Sequence, residues 1–128
     1  MADSSLVIRR IRARRANDPK RLERLARKKA VNDWLAAMDE ALDREDAPQF
    51  FQSARRALQE RMAEEWQVPA SRVTIPEIRA RLNGEGEEIR AVFQTADEIA
   101  YSRKPISAPE LRRWHDIVKS KLHHFALL

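Results

Sequence analysis

Two glycines, Gly84 and Gly86, stand in a chain of 128 residues, where average usage of roughly 7% would supply about nine. Glycine is the residue that lets backbone turn tightly or approach a phosphate closely. A phosphate-cradling glycine-rich loop, a dinucleotide fold and an all-β hairpin protein are therefore nearly excluded. Leu, Ile, Val and Phe together number 29, which is above the fraction of roughly 20% below which chains stay disordered. The length fits one domain with a real core.

Proline and capping residues supply the punctuation that glycine does not. Asp18-Pro19 and Asp46-Ala47-Pro48 each put a carboxylate where it can cap free N–H groups and a proline at the start of a helix. The first helix runs to about Arg44, with Val31, Trp34, Leu35, Met38 and Leu42 on one face at three- and four-residue spacing. The second reaches about Trp66, with Phe50, Phe51, Ala54, Leu58 and Met62 inward. Only a few residues join these two helices, so they are expected to pack as an antiparallel hairpin. Residues 67–73 read as a loop broken by Pro69.

Thr74-Ile75-Pro76-Glu77 and Ser107-Ala108-Pro109-Glu110 both read as capping boxes. The first opens a short third helix that stops at Asn83-Gly84, a left-handed terminator. A fourth helix runs from about Glu87 to Tyr101, with Ile89, Val92, Phe93, Ala96 and Ile99 on its apolar side. After a loop around Pro105, the last helix carries Leu111, Trp114, Val118, Leu122 and Phe125. No strand-like alternation occurs. The expectation is an all-α, compact bundle of about five helices in a single domain over residues 17–128, preceded by a basic arm over 1–16. Its expected core is Trp34, Met38, Phe51, Leu58, Met62, Ile78, Leu82, Phe93, Ile99 and Trp114.

Charge is placed unevenly. Residues 1–30 hold 11 basic side chains against Asp3, Asp18 and Glu23, a net +8, so the other 98 residues of this +5 chain sum to −3. The arm concentrates Arg9, Arg10, Arg12, Arg14 and Arg15, an arrangement suited to an anionic surface such as phospholipid, nucleic acid or an acidic partner. The bland alternative is a solvated charged helix end. The longest apolar run there is Leu6-Val7-Ile8, too short for a membrane span or a signal-peptide core. The chain has no cysteine; this suits a cytosolic protein and excludes disulfides and thiolate metal sites.

Residues for catalysis are sparse. His115 precedes Asp116, but helix neighbours point about 100° apart. His123 and His124 fall near the end of the last helix, where a cationic imidazole favours the helix dipole. No HExxH or GxSxG pattern is present, and acidic residues such as Glu60 and Glu64 lie beside Arg56 and Arg61 at helical spacing. Neither catalytic, metal-ligating nor cofactor-binding residues, nor a small-molecule substrate, can be assigned, and an enzyme is not expected. Trp34 and Trp114 suit core packing. Trp66 lies at a helix end beside Pro69 and suits either the edge of the core or a partner contact. Tyr101 is the second candidate partner contact, its ring expected to be buried with the hydroxyl on a polar group. Thr74 to Leu82 with Arg79 and Arg81 can be imagined as part of a helix-turn-helix, yet the chain beyond the arm is slightly acidic, which opposes a phosphate footprint there. A small nucleic-acid-binding protein using the arm is the alternative function.

Three stretches carry a family resemblance. The first is Pro19-Lys20-Arg21, then Ala30 to Leu42, then Asp46-Ala47-Pro48-Gln49-Phe50-Phe51 through Ala57-Leu58. The second is Val73-Thr74-Ile75-Pro76-Glu77-Ile78 with Leu82, and the third runs from Phe93-Gln94-Thr95-Ala96-Asp97-Glu98 to Ile99-Ala100-Tyr101-Ser102. Residues 19–118 so read resemble the C-terminal cytoplasmic helical domain of BatD-like bacterial aerotolerance proteins. In that family extracytoplasmic β-domains precede one membrane span, a basic stretch and a helical tail. The resemblance implies a non-enzymatic protein–protein interaction module, without catalytic residues or cofactor. It implies partners such as a MoxR-type AAA+ ATPase or a von Willebrand factor A protein, and a cytoplasmic location at the inner face of the membrane. Arg9 to Arg15 would then be the basic stretch that the positive-inside rule expects after a span, and Leu6-Val7-Ile8 the exit of that span. The sequence departs from the family in having no span ahead of that stretch, so the expectation is either a piece of a longer membrane protein or a stand-alone relative.

Overall fold

A computed structural model describes residues 18–103 and 105–126. Over these the chain is all-α, with five α-helices, two short 3-10 turns and no strand among the described residues. Helix α1 spans Pro19–Asp43, α2 Ala47–Trp66, α3 Ile75–Leu82, α4 Glu87–Ser102 and α5 Ala108–Ala126; the 3-10 turns are Ala70–Arg72 and Asn83–Gly86. The basic arm, with Arg9, Arg10, Arg12, Arg14 and Arg15, lies outside the described residues.

The aspartate–proline starts cap as their chemistry requires. Asp18 Oδ1 accepts from the Lys20 N–H at 3.1 Å, and Asp46 Oδ1 from the Gln49 N–H at 3.2 Å, which satisfies N–H groups that the first turn leaves free. The two later boxes differ. Ser107 Oγ accepts from the Glu110 N–H at 3.3 Å. Thr74 makes no side-chain cap bond, and Glu77 instead accepts from Arg81 Nε at 3.2 Å, one turn on. A charged partner at i+4 has drawn the glutamate away from the helix start.

Helix ends also depart from the expected glycine stop. No glycine has a positive φ; the positive values belong to Glu45, Gln67, Asn83 and Arg103. Each follows a helix end or sits in the turn just past one, so this glycine-poor chain reverses direction with ordinary residues. At the stop after α3 the positive φ of 49° is Asn83's rather than Gly84's. Gly86 serves another purpose: a Cβ there would meet Ile78 Cγ2 at 2.9 Å and Leu82 Cβ at 3.0 Å. Its missing side chain lets the backbone entering α4 lie directly on α3.

Helices α1 and α2 form the expected antiparallel hairpin, joined by residues 44–46. The register shows in Arg27, near the start of α1, whose Nη2 donates to the Val68 carbonyl just past α2 at 3.2 Å. Helix α2 is central and touches α1, α4 and α5. Its buried set includes Ala47, Ser53, Ala54, Ala57 and Ala63 beside Phe50, Phe51, Leu58 and Met62. Such small side chains let three neighbours approach one helix closely. Ser53, the one buried polar residue among those described, has its hydroxyl bonded to Gln49 Nε2 at 3.2 Å. Phe51 meets Phe50 and Trp114 edge-on, at centroid distances of 5.1 and 5.5 Å, the favoured aromatic geometry. Of the expected core, Met38, Phe51, Leu58, Met62, Ile78, Phe93 and Ile99 are buried, while Trp34, Leu82 and Trp114 pack against its margin. Polar pairs register the outer helices: Arg55 with Asp97 at 2.8 Å between α2 and α4, and Lys121 with Glu88 at 3.3 Å between α5 and α4.

Candidate interaction surfaces

Tyr101, in the last turn of α4, is 91% exposed. The expected burial of its ring is therefore wrong. Within α4 the inward positions are Ile89, Val92, Phe93, Ala96 and Ile99; two residues past Ile99, Tyr101 is turned about 200° round the helix, away from the core. It lines a shallow groove with Asp97, Glu98 and Ser102. Asp97 is held by Arg55, the Ser102 hydroxyl donates to the Glu98 carbonyl at 2.7 Å, and the Glu98 carboxylate pairs with no described residue. The result is an aromatic ring bordered by two carboxylates in the last turn of a helix.

Trp66, the second aromatic candidate, is half-buried and packs against the core. The Arg81 guanidinium lies over its ring, 4.9 Å from the centroid, a cation–π contact between the end of α2 and the end of α3. Its place at the edge of the core is one of the two roles its sequence position allowed. Trp66 and Tyr101 do not share a surface. Arg81 places Trp66 near the start of α4, and Tyr101 lies at the other end of that helix, roughly 20 Å along its axis.

The third surface is the first part of α1. Residues 19–26 are all exposed, and the next residue, Arg27, is the one that meets the Val68 carbonyl past the end of α2. Lys20, Arg21, Arg24 and Lys28 form no ion pair with any described residue; Arg27 pairs with Glu23 at 3.1 Å and Lys29 with Asp33 at 2.8 Å. The hydrogen bond to Asp33, aided by its charge, holds the Lys29 ammonium above its ordinary pKa. Among these cations, Leu22 and Leu25 are 51% and 53% exposed. The sequence reading placed the charge here but passed over these leucines; the signal available was their helical phase. Leu22 lies about 180° round the helix from Val31, and Leu25 about 140° from Met38. On the other side of the same turns, Lys20, Glu23, Arg24 and Arg27 border a cleft of about 170 Å³ with Glu64 and Gln67.

His115 does not depend on Asp116, which sits 3.9 Å from its Nδ1. Its partner is Asp39 on α1, 2.6 Å from Nε2. A carboxylate oxygen accepts, so Nε2 donates. The two residues are 76 positions apart, which no local spacing could reveal. Phe50 lies beside the imidazole at 6.5 Å. The pair ties α5 to α1, and His115 bonds to no hydroxyl of the described residues. No group of three or more His, Asp or Glu among the described residues is placed to hold a metal ion, and no described helix is long and apolar enough to cross a membrane.

No protein-family model matches the chain, and no curated protein or solved structure matches it either. The resemblance to BatD-like tail domains thus stands on the residues quoted for it alone.

Proposed function

We propose that this chain is a non-enzymatic docking module that holds a protein partner beside an anionic surface. The observation that carries the reading is Tyr101, a large aromatic turned outward beside Asp97 and Glu98 in the last turn of α4. Tyrosine is enriched among the residues that carry interface binding energy, and the Glu98 carboxylate, which pairs with no described residue, favours a basic segment. An arginine of the partner can stack on the ring and pair with Glu98. The opposite charge of the arm and of the start of α1 favours a separate, anionic contact. The resemblance to BatD-like cytoplasmic tails supports the same reading. It nominates a MoxR-type AAA+ ATPase and a von Willebrand factor A protein as partners, at the inner face of the membrane.

The test is a titration of each purified candidate against the full chain and its Tyr101→Ala variant. The reading predicts saturable binding that the substitution weakens at least tenfold, with unchanged melting temperature. Binding indifferent to Tyr101, or no binding by either candidate, contradicts it.

A further inference from the structure

We infer that the first three turns of α1 are a lipid-interface site, with Leu22 and Leu25 entering the acyl boundary of an anionic membrane and Arg21 and Lys28 meeting its headgroups. This rests on the anionic-surface half of the proposed function and specifies which surface it is.

The argument begins with helical phase. Val31, Met38 and Ala41 direct α1 into the bundle, and Leu22 and Leu25 are on the reverse side, half or more exposed. The core cannot reach them from there. One turn separates the two leucines, so they form a single apolar ridge along the helix. By the same phase Arg21 and Lys28 lie together along one side of that ridge, and Ala26 along the other. Apolar residues bordered by Lys and Arg on a helix are the chemistry of binding in the plane of a membrane interface.

Charge and shape decide between occupants. Nucleic acid would engage the cations but offers the leucines nothing in return. A second copy of the chain would bring two sets of unpaired cations face to face. The ridge is also unframed among the described residues: Glu64 and Gln67, which border the start of α1, line the cleft on its opposite side; a bilayer accepts such a ridge without a complementary groove. Five further arginines, Arg9, Arg10, Arg12, Arg14 and Arg15, stand immediately upstream in sequence and add to the attraction of an anionic leaflet.

The test is co-sedimentation of the full chain with vesicles of phosphatidylglycerol and phosphatidylcholine, or of phosphatidylcholine alone, at physiological salt. The expected result is binding to the anionic vesicles only. Leu22→Ala with Leu25→Ala should weaken it about tenfold while leaving the melting temperature and the binding of a short DNA duplex unchanged. Equal vesicle binding by the leucine variant overturns the inference, because adsorption of a polycation would then account for everything. So does a weakened self-association of that variant without lipid, which would make the ridge a contact between copies. A second variant, with the five arginines of the arm changed to Gln, separates the two readings. If it loses vesicle binding and the leucine variant keeps it, the anionic-surface reading stands and the leucine site falls. If the unaltered chain binds neither vesicle, both fall.

Discussion

Gly86 and Gly84 are two residues apart and make opposite predictions. A methyl group at Gly86 would collide with Ile78 and Leu82, whereas one at Gly84 meets nothing within 4 Å. Gly86→Ala should cost about 1–3 kcal/mol through overpacking. Gly84→Ala, at a residue without positive φ, should be neutral or stabilise by up to about 1 kcal/mol through the unfolded chain. Urea denaturation of the two variants checks the contrast. Arg103 offers the converse case. It holds a φ of 50° and ψ of 35° past the end of α4, a left-handed conformation that strains any side chain with a Cβ. Arg103→Gly should therefore stabilise by about 0.5–1 kcal/mol in the same measurement. At this scale the sequence was least legible. Glycine is the usual sign of a left-handed turn, and here Glu45, Gln67, Asn83 and Arg103, all at or just past helix ends, take the positive φ instead.

Helix starts were far more legible, since capping is a contest settled within four residues. Asp18, Asp46 and Ser107 each accept the expected backbone bond. Thr74 does not, and the Glu77 carboxylate that would return the second bond of a capping box is turned to Arg81; both depend on rotamers that spacing does not disclose. Asp46→Ala should cost about 1 kcal/mol, and Thr74→Ala clearly less; thermal melts of the two variants test the difference. Pairs between helices were beyond the reach of the sequence. Asp39 and His115 come together only once α5 is laid against α1. A double-mutant cycle on this partly exposed pair, with Ala at each position, should return a coupling of about 1 kcal/mol. A coupling near zero would mean that the contact does not fasten α5.

For the whole molecule, the apolar periodicity of four long helices was enough to give the all-α fold and most of the core, because burial averages over many positions. It did not foresee how central α2 is. The alanines of that helix carry little apolar signal, yet Ala47, Ala54, Ala57 and Ala63 are buried, since α1, α4 and α5 all close on it. Phe51, in contact with Phe50 and Trp114, should be the costliest single truncation, about 3–5 kcal/mol for Phe51→Ala. The candidate surfaces were legible in charge but not in exposure. Tyr101 was expected inward and Leu22 and Leu25 had no expected place, and their angle round the helix turns all three out. The central claim joins the Tyr101 face to the basic end of α1 in one module. Vesicle co-flotation tests it most directly, with the nominated ATPase or von Willebrand factor A protein mixed with phosphatidylglycerol-containing vesicles, with and without this chain. The account predicts that the partner floats only when the chain is present, and that either Tyr101→Ala or the Leu22→Ala, Leu25→Ala pair strongly reduces the amount floated. A partner that stays at the bottom of the gradient while the chain itself floats would contradict it.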